Sequence, residues 1–133
     1  MIKGLAHICY TVEDLDRAIA FYAGVLGMKE AFDFLKEDGT RYGVYLGMGG
    51  RQFIELFEGT ATASEGTPSY KHLCLEVEDI ETAVVALREA GIEASDPELG
   101  SDQSWQSWIT DPDGNRIELH AYTPDSRQGP FLK

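Results

Sequence analysis

His7-Ile8-Cys9-Tyr10-Thr11-Val12-Glu13-Asp14-Leu15-Asp16-Arg17-Ala18-Ile19-Ala20 returns sixty-five residues later as His72-Leu73-Cys74-Leu75-Glu76-Val77-Glu78-Asp79-Ile80-Glu81-Thr82-Ala83-Val84-Val85. Residue type is kept at His7/His72, Cys9/Cys74, Val12/Val77, Glu13/Glu78, Asp14/Asp79 and Ala18/Ala83. Further on, Leu26-Gly27-Met28 answers to Ala90-Gly91-Ile92, and Ile54-Glu55-Leu56 answers to Ile117-Glu118-Leu119, with a register drift of only two residues. A fixed spacing of this kind marks one structural unit used twice. Each copy opens on a histidine and closes on a glutamate, so equivalent positions can bring two His and two Glu to one place.

Each copy reads as β-α-β-β-β. In the first, the alternating residues 5 to 12 form a strand, and Asp14 caps a helix whose apolar positions Leu15, Ala18, Ile19, Tyr22 and Leu26 fall at helical spacing until Gly27 ends it. Strands follow at 29 to 35, 41 to 47 and 51 to 57, separated by the Asp38-Gly39 and Gly49-Gly50 turns. Residues 59 to 69 are small, polar and poor in apolar side chains, which makes them the linker. The second copy runs as strand 70 to 77, helix 79 to 90, strands 92 to 96 and 104 to 110, the Asp111-Pro112-Asp113-Gly114-Asn115 turn, and strand 116 to 121. A tail at 123 to 133 carries Pro, Gly and mixed polar residues, suited to mobility or to docking on a neighbour. The expectation is a single α+β domain over 1–133, with a first module at about 4–58 and a second at about 70–122.

With 133 residues the chain has one domain's length, so its two copies are expected to share a core. A formal charge of −12 and no basic patch exclude nucleic acid, whose phosphates would be repelled. No apolar run approaches the roughly 18 residues that cross a bilayer, and no secretory h-region precedes the first strand. The expectation is a cytoplasmic protein with no membrane partner. Cys9 and Cys74 sit at equivalent points inside strands and read as buried thiols in a reducing compartment, not as a disulfide.

Glu55 lies in Phe53-Ile54-Glu55-Leu56-Phe57 and Glu118 in Arg116-Ile117-Glu118-Leu119-His120. Alone, a carboxylate in such a strand can simply face solvent while its neighbours face the core, and a lone histidine is commonly structural. The coincidence of four metal-capable side chains at equivalent positions changes the reading: His7, Glu55, His72 and Glu118 suit a divalent ion such as Zn²⁺, Ni²⁺, Co²⁺, Mn²⁺ or Fe²⁺.

The stretches LAHICYTVEDLDRAIAFYAGVLGM, FIELF, YKHLCLEVED and WITDPDGNRIEL, spread over about residues 4 to 121, resemble the vicinal oxygen chelate superfamily. Within it the chain looks most like short glyoxalase I (lactoylglutathione lyase). The resemblance implies paired βαβββ modules whose curved mixed sheets form a cup around a divalent metal, held at His7, Glu55, His72 and Glu118. Zn²⁺ or Ni²⁺ is the expected ion and a homodimer the expected state. It also implies a lyase or isomerase acting on a small substrate with vicinal oxygens, a hemithioacetal, through an enediolate. In that chemistry Glu118 is the base and Glu55 its partner carboxylate.

Fosfomycin-modifying enzymes and extradiol dioxygenases of the superfamily generally use two histidines and one glutamate, so the presence of Glu55 favours the isomerase or lyase reading. The rivals are a ring-cleaving dioxygenase and a bleomycin-resistance-type binding protein without turnover. Arg41, Arg51, Lys71 and Arg116 are the cations available to a glutathione carboxylate, and each reads first as an ordinary surface charge. Trp105 and Trp108 alternate on one strand, so one is expected to face the cup and the other to face outward. His120 follows Glu118 on the same face and reads as a spectator or an outer partner.

Overall fold

The computed structural model describes residues 1, 3–61 and 69–132. It comprises two compact units, Met1–Gly66 and Thr67–Lys133. Most of the expected linker, at 62–68, lies outside the described residues.

In the first unit, strand β1 (His7–Val12) leads into helix α1 (Leu15–Ile19), whose amino end is capped by the Asp14 carboxylate accepting from Arg17 N at 2.9 Å. The helix then widens into a π-helical stretch, Ala20–Val25, with Leu26 N donating to Phe21 O. The sequence spacing predicts an ordinary α-helix to Leu26. The wider turn instead brings Phe21 beside Tyr22 into the core, the two rings 5.0 Å apart edge to face, and leaves Leu26 half-buried. Gly27 ends the element at φ 77°, a left-handed position that Gly91 repeats in the second unit at φ 82°.

Strands β2 (Lys29–Leu35), β3 (Arg41–Gly47) and β4 (Phe53–Glu58) complete a four-stranded sheet in the order β1-β4-β3-β2. The β1–β4 pair is parallel and the others antiparallel. Val12, Leu15, Ala18, Tyr22, Val44, Leu46, Ile54 and Leu56 make the core between the helical layer and one face of the sheet.

The second unit repeats this plan with β5 (Leu73–Glu76), α2 (Ile80–Glu89), β6 (Glu98–Leu99), β7 (Trp105–Thr110) and β8 (Arg116–Ala121), in sheet order β5-β8-β7-β6. Asp79 caps α2 as Asp14 caps α1, its carboxylate accepting from Thr82 N at 2.8 Å. Ile80, Val84 and Leu87 of the helix are buried, as are Leu73, Ile109, Ile117 and Leu119 of the sheet. Two four-stranded mixed sheets, each with its own helix, are the tandem βαβββ α+β architecture that the repeat implies.

One expected strand is displaced: 92 to 96 is irregular, and the edge strand is only Glu98–Leu99. Ser95 explains the difference. It engages β7 through its side chain as well as its backbone, with Ser95 Oγ accepting from Trp108 N at 2.9 Å and Ser95 O accepting from Ser107 Oγ at 2.7 Å. A side chain that takes a strand's amide interrupts the backbone ladder there. The tail packs on its own unit: Ser126 is buried, Arg127 N donates to Asp102 O, and Gly129–Phe131 form a 3₁₀ turn.

Gly43 faces Phe57 across β3 and β4, and a Cβ built there would lie 2.5 Å from the Phe57 ring and 2.9 Å from Leu56 O. The ring can swing aside, but the backbone oxygen cannot. Gly43→Ala is therefore expected to destabilise the protein by about 1–3 kcal/mol, read as a lower urea midpoint with an unchanged slope.

Candidate functional site

The parallel pairing sets Cys9 opposite Glu55 and Cys74 opposite Glu118. Because side chains alternate along a strand, Ile54 and Leu56 are buried while Phe53, Glu55 and Phe57 share the other face. The second unit does the same with Ile117 and Leu119 buried and Glu118 turned out. Each expected His–Glu pair comes together within its own unit: His7 Nε2 lies 4.0 Å from Glu55 Oε1, and His72 Nε2 lies 3.0 Å from Glu118 Oε2. The glutamates are the more enclosed partners, with side chains 19% and 14% exposed.

In the first unit the face around Glu55 is aromatic. Tyr45, in register with Glu55, stacks on Phe32 and Phe53, and its hydroxyl lies 3.0 Å from His7 Nδ1. That contact leaves Nε2 as the nitrogen turned toward Glu55, the arrangement in which an outer partner fixes a ligating imidazole. Tyr45 is a site residue that sequence reading missed, although its even spacing from Gly43 and Gly47 in the expected strand was the available signal.

In the second unit Trp108, in register with Glu118, packs edge to face against His72 at 4.8 Å. Arg116 lays its guanidinium 3.9 Å over the Trp108 ring. Of the two tryptophans, then, Trp108 shares the face of Glu118, and Trp105 lies on the other. Arg41 is occupied by Asp16, Glu30 and Asp33 at 2.7 to 3.3 Å. Arg51 and Lys71 are exposed.

The cysteines correct an expectation. Both are free and solvent-exposed, not buried, because the alternation that places His7 and His72 outside the core carries the residues two positions on to the same face. Burial of the sulphur, a hydrogen bond to Glu55 and that carboxylate's charge raise the Cys9 thiol. Partial burial, then the negative charges of Glu118 and Asp102, push the Cys74 thiol up to about 11. Both thiols are therefore protonated near neutral pH.

Of the two readings of His120, spectator or outer partner, its position beside Glu118 agrees with the second. This residue is buried, its Nδ1 lies 3.3 Å from Glu118 Oε1, and its Nε2 has no hydrogen-bond partner among the described residues, with Asp102 Oδ2 at 3.9 Å. Asp102 accepts from Gln128 Nε2 at 2.6 Å and from Ser104 N at 3.1 Å, and these bonds, assisted by the His120 charge, hold its carboxyl below the usual range. Nothing in the sequence pattern marks Asp102, which lies in an irregular loop. The turn before β8 is built on buried Asp111, whose carboxylate accepts from Asp113 N, Asn115 N and Asn115 Nδ2. It sets where Glu118 emerges two residues into the strand.

The chain as a whole is similar to known proteins. The family model described as the Glyoxalase/Bleomycin resistance protein/Dioxygenase superfamily matches residues 4–119. The chain belongs to this superfamily. The metallothiol transferase FosB of Staphylococcus epidermidis is 31% identical over 132 residues, covering 96% of this chain and 89% of the relative. A probable lactoylglutathione lyase of Vibrio cholerae is 30% identical over 125 residues, covering 86% and 88%. Among solved structures, a glyoxalase family protein from Enterococcus faecalis has a TM-score of 0.75 at 24% identity, covering 89% of this chain and 97% of that one. This last likeness speaks for the fold. No helix among the described residues is long and apolar enough to cross a membrane.

The electrostatic setting of Cys74 is open to a direct test. Glu118→Gln removes one of the charges that raise this thiol, so in a Cys9→Ser background treated with chelator, Cys74 is expected to react faster with iodoacetamide at pH 9 than in the unaltered site. An unchanged rate would mean that the Glu118 charge does not set its reactivity.

Proposed function

We propose that this superfamily member is a metal-dependent lyase or isomerase of glyoxalase I type, acting on a small substrate with adjacent oxygens such as a hemithioacetal. His7, Glu55, His72 and Glu118 would hold one divalent ion per chain, Zn²⁺ or Ni²⁺ by donor type. The observation that carries the reading is Glu55, a half-buried carboxylate beside His7 in the unit where a two-histidine, one-glutamate set would have none. The donor chemistry fits: in each unit a ring nitrogen and a carboxylate oxygen face each other within 4.0 Å.

A cation bound there would act as a Lewis acid, polarising the carbonyl and easing loss of the neighbouring proton. The remaining work belongs to the chain. Glu118 takes the proton from the carbon that bears the hydroxyl and the thioether, and returns it to the adjacent carbon. The hydroxyl proton passes to the former carbonyl oxygen, so that carbonyl and hydroxyl exchange places, no atom leaves, and the product is a thioester of a 2-hydroxy acid. His120, 3.3 Å from Oε1, orients the carboxylate so that little reorientation precedes the transfer. Glu55 balances charge at the ion, and Tyr45 keeps His7 presented through Nε2. The aromatic rings of the first unit's open face exclude water and suit an apolar substituent on the substrate.

A second reading, transfer of a thiol onto an electrophilic small molecule, is supported by the 31% identity with the staphylococcal FosB. Incubating the metal-loaded protein with hemithioacetals of several thiols separates the two. Thioester formation without net thiol consumption supports the isomerase. Stable thiol adducts of an added electrophile, with no thioester, would replace it with the transferase.

Metal analysis of protein purified without added metal is expected to show one ion per chain that depends on His7 and His72 together, lost in His7→Ala and in His72→Ala alike. Two independent ions, one lost in each variant, would refute the shared centre. Glu118→Gln is expected to lower turnover by about 10²–10⁴-fold while largely keeping the ion, and full activity in that variant would place the base elsewhere.

A further inference from the structure

We propose that the second unit carries an additional cation site on the outer oxygen of Glu118, formed by Cys74, Glu118 and His120 and suited to a borderline or soft divalent ion such as Zn²⁺, Co²⁺ or Cd²⁺. One donor atom from each of the three lies within 4.8 Å of the others. A sulphur, an imidazole nitrogen and a carboxylate oxygen together select thiophilic ions over Mg²⁺ or Ca²⁺. The two oxygens of Glu118 already point to different imidazoles, Oε2 to His72 at 3.0 Å and Oε1 to His120 at 3.3 Å. A carboxylate so flanked can serve a cation on each side.

The second observation is the orphaned nitrogen of His120. This residue is only 7% exposed, and its Nε2 has no hydrogen-bond partner among the described residues. A buried polar atom left in that state costs stability and is uncommon outside functional sites. An ion taken at Nδ1 requires the ring proton on Nε2, and ligating histidines regularly direct that proton to a carboxylate. Asp102 stands there, 3.9 Å away and anchored by Gln128 and Ser104. Gln128 belongs to the C-terminal segment, so docking of the tail supplies the outer partner. Exposed Cys74 gives the ion its way in.

The first unit provides an internal control. It has the equivalent Cys9 and Glu55 side by side, but the position answering to His120 is Phe57, so the nitrogen donor is missing. The donor set is therefore a property of one copy and not a by-product of the repeat. Resting on the reading of Glu118 as the base, an ion here would occupy the oxygen that must accept a proton, and thiophilic ions in excess would inhibit.

The test is a Co²⁺ titration of the full chain after chelator treatment, followed by the sulphur-to-cobalt charge-transfer absorption in the near ultraviolet. The expected result is a band that persists in Cys9→Ser and His7→Ala, disappears in Cys74→Ser, and needs at least tenfold more Co²⁺ in His120→Phe, which installs the first unit's residue. Absence of the band, its survival in Cys74→Ser, or an unshifted midpoint in His120→Phe overturns the site. Loss of the band in His7→Ala would assign the thiol to the four-residue centre and also overturn it. Because the ion dependent on His7 is counted separately, failure here leaves the proposed activity standing, and failure of that activity leaves this site standing.

Discussion

The parallel pairing of the first and last strands within each unit is the constraint on which the candidate site depends. A helical crossover carries the chain from β1 away from its sheet, and the later strands bring β4 back alongside β1 in the same direction. Cys9 then stands against Glu55 and Cys74 against Glu118, with each histidine two residues earlier on the same face. The core enforces this register. A slip of one residue would drive Glu55 into the apolar interior and expose Ile54 and Leu56, both fully buried. Burial of roughly two large aliphatic side chains per strand, at about 1.5–3 kcal/mol each, therefore aims the glutamate. The carboxylate points to the histidine because its neighbours must point away.

The two copies have diverged around this shared frame. Beside Glu55 the first unit places Tyr45, Phe32, Phe34, Phe53 and Phe57, an aromatic surface with one hydroxyl bound to His7. The second unit surrounds Glu118 with His72, His120, Cys74 and, behind them, Asp102 held by the tail. The first environment is suited to covering apolar substance, the second to moving protons and holding ions. Duplication followed by such division gives a single chain two chemically different sheet faces on one backbone plan.

What was legible in the sequence was whatever periodicity controls. The repeat, the order of elements, Asp14 and Asp79 as caps and Gly27 and Gly91 as helix ends follow from short-range pattern, and the pairing of His with Glu inside each copy follows from a spacing that recurs in both copies. Where contacts distant in sequence decide, pattern falls short. Ser95 takes the amide of Trp108 and interrupts the strand expected at 92 to 96. Asp102 acquires its role from Gln128, twenty-six residues away. Cys9 and Cys74 read as core because cysteine is usually buried, yet period-two alternation already placed them with the histidines, and the alternation prevailed over the residue's habit. Tyr45 could have been found by the same rule applied across the strand pair.

The environments of the two glutamates differ in a way that bears on the roles proposed for them. Glu55 has one imidazole nearby, at 4.0 Å, and a thiol across the strand pair. Glu118 has an imidazole at each oxygen, at 3.0 and 3.3 Å, and a less exposed side chain. A base that must accept a proton from carbon needs a fixed direction of approach and partners that respond as its charge is neutralised. Neighbours at both oxygens supply these, whereas a single distant one does not. Glu55 lacks the second imidazole that flanks Glu118. The repeat supplied two carboxylates, and the residues that followed them in sequence, His120 in one copy and Phe57 in the other, set their surroundings apart.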